Sequence, residues 1–474
     1  MSGRRGGGAP GRRGPARPPE THVQPARRVA LEVLQAVRES DAYANLLLPT
    51  KINRAALSTA DAALATELTY GTLRMQGYYD RVIALAAGRP VDRIDPPLLD
   101  VLRLGVHQLL STRVAAHAAV NESVGLARQV GSRSGTGFVN GVLREIGRHS
   151  PEEWRNYVAD DARNEDDRLS ALSSHPVWVV RALRRSLAAE GRGDELEALL
   201  AADNTAPRVN LIALPGLVEE PAGARPDRFS PPGFTVGGGD PQGIVEESGG
   251  RIRVQDEGSQ LAALVLSRAR PVEEGERWLD LCAGPGGKSA LLAAEALAGG
   301  ASLVANELVP ARAELVRRAL APVPLEVPVW EQDGVALGAE RPDAFDRILL
   351  DAPCTGLGAL RRRPEARWRK TPRDVAELTV LQADLLDSAV AALKPGGLLA
   401  YVTCSPHVGE TRGIVAAALE RHAGVLEQEQ TAEVVQSLAR EELDLAGDPL
   451  TVQLWPHRHL TDAMFIALLR KRSA

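Results

Sequence analysis

The chain has 474 residues, of which 25% are charged, and its formal net charge is −5. This length accommodates two or three domains. No apolar run approaches the roughly 18 residues of a membrane-spanning helix, and the amino terminus lacks the hydrophobic segment of a signal peptide. We therefore expect a soluble, cytoplasmic protein. Because the chain as a whole is acidic, only local charge can support an argument for nucleic-acid binding.

The first 22 residues form a separate compositional segment. They carry five arginines among glycines and prolines, and Glu20 is the first acidic residue. Such a segment cannot bury a core. We predict a disordered basic arm over residues 1–22, which either contacts nucleic acid non-specifically or is a solvated tail without a role.

Residues 23–150 show helical periodicity throughout. Ala30, Val33, Leu34 and Val37 recur at the spacing of one helix face, and the same spacing returns from Leu98 onward. The pattern predicts an all-α bundle of five to seven helices. Periodicity alone gives this bundle no catalytic role.

Residues 151–250 are predicted to form a linker with a small α+β subdomain. Helical patterns continue to about residue 205, and a strand-like run begins at Arg208. The stretch from Pro215 to Gly250 is dense in glycine and proline, which favours either a flexible connection or an insert rich in hairpins.

From residue 251 to 474, short apolar runs alternate with helical patterns. Strands that alternate with helices form a mostly parallel sheet covered on both faces, so we predict a Rossmann-like α/β domain. Ligand loops of such a sheet lie at the carboxyl ends of its strands. The predicted strands are Leu279–Leu281, Ser302–Ala305, Leu325–Val329, Arg347–Leu350, Leu398–Val402 and Phe465–Leu469.

A glycine-rich turn follows the first of these strands and opens a helix at Ser289. A phosphate-binding P-loop would need glycine where Cys282 stands, and a dinucleotide fingerprint would need a third glycine where Ser289 stands. The remaining ligand class is a nucleoside without a pyrophosphate, such as S-adenosylmethionine. The alternative is an ordinary glycine-rich turn between a strand and a helix.

Two acidic residues follow the next two strands. Glu307 comes about 20 residues after the glycine-rich turn, where a carboxylate can accept both hydrogen bonds of a ribose diol. Asp333 follows the third strand, where its carboxylate could reach an adenine amine. Either residue alone could be a surface acid, but their order along the sheet favours a cofactor site.

Two cysteines follow the fourth and fifth strands. Asp351-Ala-Pro-Cys354 ends one strand, and Thr403-Cys404 ends the other. The cysteines do not form a C-x-x-C pair, which is the spacing typical of a zinc site, and we expect no metal. Methylation of a pyrimidine at C5 needs a thiolate that adds to C6, and a second group that helps to release the enzyme. Asp351 could hydrogen-bond the N3 edge of the base. Buried cysteines are otherwise usually inert.

A basic loop lies between the two thiols. From Pro353 to Arg373 the chain has seven lysines and arginines and one acidic residue, a local charge of +6. Together with Trp368 it predicts a surface that binds phosphates and stacks on bases. The alternative is a solvated run of charges.

These motifs resemble the Sun/nucleolar-protein family of RNA cytosine-C5 methyltransferases. The resemblance rests on Leu281–Lys288, on Asp351–Gly356 and on Thr403–Ser405. The helical region is similar to NusB-type RNA-binding domains, through Glu67–Arg74, Ala119–Val124 and Phe138–Arg144. The combination implies an amino-terminal NusB-like bundle followed by an S-adenosylmethionine-dependent methyltransferase domain, with 16S rRNA as the substrate.

The resemblance also implies residue roles. Cys404 would be the attacking nucleophile and Cys354 would assist release, an order that the chemistry of the residues alone leaves open. The cofactor would contact Cys282, Ala283, Gly284, Pro285, Gly286, Gly287, Lys288, Glu307, Asp333 and Asp351.

Two other functions remain consistent with the sequence. The first is the same reaction on tRNA or another RNA. The second is an RNA-binding or ribosome-assembly factor whose methyltransferase domain only holds the cofactor, against which the intact cysteine pair argues. We expect a monomer that binds RNA and no membrane.

Overall fold

The computed structural model describes residues 23–40, 42–131, 133–237 and 241–473. They form two compact units. The first contains Leu46–Thr72, Val82–Pro151 and the described part of Met1–Ala42, and the second contains Tyr43–Asn45, Leu73–Arg81 and the described residues from Glu152 onward. The basic arm predicted over residues 1–22 lies outside the described residues.

The amino-terminal part of the chain is helical, as its periodicity predicts. Ala30, Val33 and Leu34 are buried on one face of the first helix, as an amphipathic helix requires. The described residues up to Ile146 form seven α-helices: α1 (Pro25–Glu39), α2 (Ala44–Arg54), α3 (Thr59–Arg74), α4 (Gln76–Ala87), α5 (Pro96–Ser111), α6 (Ala116–Val130) and α7 (Arg133–Ile146).

The next segment contains helices and a small antiparallel sheet. The elements are α8 (Pro151–Asp160), α9 (Glu165–Ser173), α10 (Val177–Ala188), α11 (Leu196–Asp203), β1 (Asn210–Ala213), β2 (Arg225–Pro226), β3 (Gly233–Thr235), α12 (Pro241–Glu247) and β4 (Ile252–Val254). The sheet order is β2-β3-β1-β4. Between Pro215 and Gly250 the described residues belong to the hairpin-rich insert rather than to a flexible connection, because β2 and β3 pair with each other.

A larger sheet organises the carboxy-terminal part of the chain. Its described strands are β5 (Arg277–Asp280), β6 (Ser302–Asn306), β7 (Val329–Trp330), β8 (Phe345–Asp351), β9 (Leu393–Thr403), β10 (Leu426–Gln428), β11 (Val452–Gln453) and β12 (Phe465–Lys471). The order is β10-β12-β9-β8-β5-β6-β7, and β11 also pairs with β12. Strands β7, β6, β5, β8 and β9 run parallel, whereas β12 is antiparallel to β9.

Helices cover both faces of this sheet, as predicted for a Rossmann-like domain. Leu349 packs in the apolar core that contains the helices α13 (Glu257–Arg268) and α14 (Gly287–Gly299). Its neighbours Ile348 and Leu350 pack in the core that contains the helix α18 (Pro372–Ala392), because successive strand residues point to opposite faces. Within the described part of the chain, no helix is long and apolar enough to cross a membrane. The helices are α13 (Glu257–Arg268), α14 (Gly287–Gly299), α15 (Pro310–Leu320), α16 (Gly334–Glu340), α17 (Ala366–Arg369), α18 (Pro372–Ala392), α19 (Arg412–Arg421), α20 (Thr431–Leu438) and α21 (Pro456–His459).

The third predicted strand is misplaced. The sequence pattern suggests Leu325–Val329, but β7 contains only Val329 and Trp330. Three prolines, Pro322, Pro324 and Pro328, punctuate the preceding run, and proline has no N–H to donate to a neighbouring strand.

The sheet topology places the predicted ligand residues along one edge. The chain leaves β5 towards β6 on one side, and later returns to β8 on the other side of β5. Ligands bind at such a reversal, outside the carboxyl ends of the strands. The glycine-rich turn follows β5, Glu307 follows β6, and the two cysteines follow β8 and β9.

Candidate active site

The turn after β5 places glycine residues, which have no side chain, at the carboxyl edge of the sheet. Gly286 has φ of +101°, and a Cβ built on it would lie 2.5 Å from the Cβ of Ala319. A Cβ on Gly284 would lie 2.1 Å from Oε2 of Glu307. Position 286 therefore requires glycine, and a side chain at position 284 would displace the carboxylate of Glu307. The amino terminus of α14 follows at once, so the turn offers main-chain N–H groups and the positive end of a helix dipole.

Glu307 and Asp333 lie at the ends of adjacent strands. The buried Glu307 carboxylate accepts hydrogen bonds from the N–H groups of Gly284 at 3.1 Å and Val309 at 3.0 Å. These bonds hold the carboxylate against the glycine-rich turn. Asp333 is exposed and caps α16 by accepting from the N–H of Val335 at 3.0 Å.

Asn306 is a residue of this edge that the sequence analysis missed. Its buried side chain donates to the carbonyls of Leu281 at 3.2 Å and Gln332 at 3.1 Å. Its Oδ1 accepts from the N–H of Gln332 at 3.1 Å. The amide thus ties together the segments that follow β5, β6 and β7. The only sequence signal is its position beside Glu307.

The donor set at this edge fits S-adenosylmethionine. A nucleoside needs a close main-chain approach and a carboxylate for its ribose. The glycines of the turn offer the first, and Glu307, bound to the N–H of Gly284, offers the second. The residues that would hold the cofactor are those of the turn, together with Glu307, Asp333 and Asp351. Within the described ranges no group of three or more potential metal ligands occurs.

Cys354 and Cys404 meet although 50 residues separate them. Their strands are parallel neighbours in which Asp351 is paired with Val402, so the loops that follow start side by side. The two Sγ atoms are 3.4 Å apart, and both side chains are half-buried. Both thiols are free.

The two thiols differ in their electrostatics. A hydrogen bond from the thiol of Cys354 lowers the pKa of Cys404, and the charges of Lys288 and Arg363 lower it further, against burial and the charge of Asp351. The same hydrogen bond, with burial, raises the pKa of Cys354 well above the ordinary thiol value. Of the two thiols, Cys404 therefore has the environment that favours a thiolate, since hydrogen bonds and positive charge stabilise the ionised form.

The third cysteine has a different environment. Burial raises the pKa of Cys282 far above the ordinary thiol value, and the carboxylates of Asp280, Asp351 and Glu307 add to the effect. Its thiol stays protonated. Cys282 can therefore line the turn but cannot act as a nucleophile.

Lys288 connects the glycine-rich turn to the thiols. Its Nζ donates to Oδ2 of Asp351 at 2.7 Å, and both side chains are partly buried. The lysine therefore orients the carboxylate that precedes Cys354, and its charge also lies within reach of Cys404.

Glu410 binds the two cysteine loops to each other, and the sequence analysis missed it. Its carboxylate is 0% exposed and accepts from the N–H of Thr355 at 2.8 Å, the hydroxyl of Thr355 at 2.5 Å and the hydroxyl of Ser405 at 2.6 Å. Nε2 of Gln382 donates to it at 3.2 Å. Thr355 and Ser405 each follow a cysteine directly. Six residues after Cys404, a glutamate cannot be told from a surface acid by sequence pattern.

The basic loop is less exposed than predicted. Arg361 and Arg367 are buried, and Arg362 is bound to Asp256 at 2.8 Å and to Asp462 at 3.1 Å. Arg367 donates to main-chain carbonyls, among them that of Ser174 at 2.9 Å. These three arginines bind within the fold, so they do not belong to a phosphate-binding surface. The predicted nucleic-acid surface stays a prediction for the other four basic residues of the run.

Two family models match the chain. The model described as 16S rRNA methyltransferase RsmB/F matches residues 268–470, and the NusB family model matches residues 24–148. The first match contains the thiol pair and the residues predicted to contact the cofactor. The second coincides with the helices α1 to α7.

Relatives match over nearly the whole chain. A Mycobacterium tuberculosis protein named as a methyltransferase is 47% identical over 471 residues, which are 98% of this chain and 99% of that protein. The ribosomal RNA small subunit methyltransferase B of Pseudomonas putida is 32% identical and covers 86% of this chain and 92% of its own length.

Solved structures share the fold. The crystal structure of PH0851 has a TM-score of 0.75 at 22% identity and covers 95% of this chain and 99% of its own. The structure of NSun6 from Pyrococcus horikoshii with SFG has a TM-score of 0.50 at 19% identity and covers 62% of this chain and 98% of its own.

Proposed function

Since this chain belongs to the RsmB/F family and is an S-adenosylmethionine-dependent RNA methyltransferase, we propose that it methylates C5 of a cytosine in 16S rRNA. The reaction would proceed through a covalent bond between Cys404 and C6 of the base. The substrate is inferred from the family, described as 16S rRNA methyltransferase RsmB/F, and from the similarity to the ribosomal RNA small subunit methyltransferase B of Pseudomonas putida.

One observation carries the proposal: two thiols, 3.4 Å apart, lie at the carboxyl edge of the sheet, and the pKa of one is lowered while that of the other is raised. A factor that only binds RNA has no use for such a pair. C5 of cytosine is a weak nucleophile, so a methyltransferase acting on it needs one thiolate that adds to the ring.

The roles of the chain's residues follow from their chemistry. The thiolate of Cys404 adds to C6, and the ring electrons move towards C5 and N3. The ammonium of Lys288, held by Oδ2 of Asp351 at 2.7 Å, can stabilise the charge that builds at the N3 edge. S-adenosylmethionine, when bound, supplies the electrophilic methyl group for C5.

Release requires the reverse of the addition. A water molecule of the solvent accepts the C5 proton, the electrons of the C5–H bond re-form the double bond between C5 and C6, and the bond between C6 and Sγ of Cys404 breaks with its electron pair going to the sulfur. The thiol of Cys354 is protonated and hydrogen-bonds the departing thiolate. The hydrogen bond from Cys354 that stabilises the attacking thiolate of Cys404 therefore also makes this thiolate a better leaving group. We assign Cys354 to this release step.

Methyl transfer from labelled cofactor to unmodified 16S rRNA tests the proposal, and bisulfite sequencing of the product identifies the base. Cys404→Ala should abolish transfer and leave cofactor binding nearly intact, because Cys282 and the rest of the turn are unchanged. Cys354→Ala should accumulate a covalent complex of protein and RNA. Transfer to tRNA alone would reject the substrate, and full activity of Cys404→Ala would reject the mechanism.

A further inference from the structure

Tyr43 is an exposed aromatic residue with two arginines beside its ring. Its side chain is 45% exposed, and the guanidinium carbons of Arg363 and Arg369 lie 5.6 Å and 5.3 Å from the centre of its ring. Both arginines come from the basic loop that follows Cys354. A cation over the face of a tyrosine is attracted to its π electrons, so the three side chains form one surface, here called the Arg–Tyr–Arg surface.

The main chain fixes this tyrosine in place. The N–H of Ala44 donates to Oε1 of Glu365 at 3.2 Å, and Glu365 is only 3% exposed. Glu365 stands between the two arginines in the basic loop. A buried carboxylate thus anchors the residue next to Tyr43 to the same loop that supplies the guanidinium groups.

The Arg–Tyr–Arg surface lies near the reacting thiols. The charge of Arg363 lowers the pKa of Cys404, so its guanidinium is within electrostatic reach of that sulfur. Arg361, Arg362 and Arg367 of the same loop bind acidic side chains and main-chain carbonyls within the fold. Arg363 is exposed, so an exposed part of the basic loop coincides with the exposed aromatic ring.

We propose that the Arg–Tyr–Arg surface binds the RNA beside the target cytosine, with a flanking base stacked on Tyr43 and adjoining phosphates bound by Arg363 and Arg369. This inference rests on the proposed function. A positively charged groove with an aromatic face is the combination that single-stranded nucleic acid requires. An acidic protein segment would use the guanidinium groups but has no planar base to stack on the exposed ring.

Variants of Tyr43 in the full-length protein test the stacking role. Tyr43→Ala should raise the KM for RNA about tenfold, the order expected for the loss of one stacked base, with kcat changed by less than about twofold. Tyr43→Phe and Tyr43→Trp should retain the wild-type KM because they keep the aromatic face. Tyr157→Ala removes another exposed tyrosine, from α8 (42% exposed), and should match the wild type.

The phosphate contacts are tested by salt dependence. In a Cys404→Ala background, Arg369→Gln should weaken binding of a fluorescent single-stranded RNA and reduce the slope of log affinity against log salt by about one. Arg373→Gln is the control, since this residue is 87% exposed and paired with Glu377. An acidic peptide of equal charge should not displace the RNA.

Equilibrium binding separates this inference from the proposed function. If the wild-type protein transfers no methyl group to 16S rRNA, the proposed function fails, and RNA binding by the Tyr43 variants still decides the inference. RNA affinity of Tyr43→Ala within about twofold of the wild type overturns it, as does displacement of RNA by the acidic peptide.

Discussion

Replacing Glu410 by alanine would test whether one buried carboxylate sets the spacing of the two thiols. The side chain accepts hydrogen bonds from Thr355, which follows Cys354, and from Ser405, which follows Cys404. Alanine removes both acceptor oxygens from a site that is 0% exposed. The N–H of Thr355 then has no carboxylate to bind, and the two loops lose their common anchor.

The expected cost follows from the number of donors left without this acceptor. Four donors lose this acceptor: the N–H and hydroxyl of Thr355, the hydroxyl of Ser405 and Nε2 of Gln382. Nε2 of Gln382 keeps the carbonyl of Pro353 at 2.8 Å, and the two hydroxyls, 3.2 Å apart, can bond each other, which leaves the equivalent of two donors unpaired. Each such buried donor costs about 1–3 kcal/mol, so we expect a loss of about 4 kcal/mol in the free energy of unfolding. A displacement of the reacting groups by about 1 Å can cost about 100-fold in rate, so kcat should fall by about that factor.

Glu410→Gln should have a smaller effect. The glutamine keeps the side-chain volume and one acceptor for the N–H of Thr355, and the hydroxyls of Thr355 and Ser405 can rotate to accept from its amide. It also removes the charge that helps to raise the pKa of Cys354. In a Cys404→Ser background, Glu410→Gln should therefore make Cys354 react faster with iodoacetamide at pH 8.

Unfolding in urea and single-turnover methyl transfer measure the two effects separately. Glu257→Ala is the matched control: Glu257 is also buried and accepts from the N–H groups of Phe229 and Ser230. It should lose comparable stability but keep the kcat of the folded protein. If folded Glu410→Ala retains kcat within about threefold of the wild type, or Glu257→Ala loses as much activity, the positioning role is refuted.

Three further outcomes are expected. The single-turnover rate should fall as pH drops through the lowered pKa of Cys404, and Arg363→Gln should move the midpoint to higher pH; an unmoved midpoint contradicts the charge effect. Diamide should oxidise Cys354 and Cys404, 3.4 Å apart, to a disulfide, so that the denatured protein titrates one thiol instead of three and activity is lost until dithiothreitol restores it. Three thiols still titrating after treatment would contradict this expectation. Gly284→Ala should weaken cofactor binding at least about tenfold by calorimetry, because its Cβ would lie 2.1 Å from Oε2 of Glu307. An unchanged affinity would show that the cofactor does not approach the main chain at this position.

The sequence predicts the parts of this protein that depend on local periodicity and on strand ends. Helical spacing gives the amino-terminal helices, and alternation of strands with helices gives the parallel sheet. Because the carboxyl ends of parallel strands share one edge, Glu307, Cys354 and Cys404 could be placed at that edge before any coordinates were known.

Other features depend on tertiary contacts that leave no local signal. Glu410 and Asn306 act through hydrogen bonds to residues of other segments, and nothing in their immediate sequence distinguishes them. Arg361 and Arg367 belong to a basic run but are buried, because main-chain carbonyls of distant segments accept from their guanidinium groups. Charge counted along the chain cannot separate such arginines from those that face solvent.

The assignment of Leu73–Arg81 to the second unit has a practical consequence for dissecting the protein. Gly77 receives the ring of Trp368, since a Cβ there would lie 2.5 Å from it, and the N–H of Gly77 donates to Ser174 at 2.9 Å. A fragment that starts at residue 151 would uncover that indole and leave Arg367 without the carbonyl of Arg74. Expression of the methyltransferase half by itself should therefore yield an aggregating product unless a peptide spanning Leu73–Arg81 is supplied in trans.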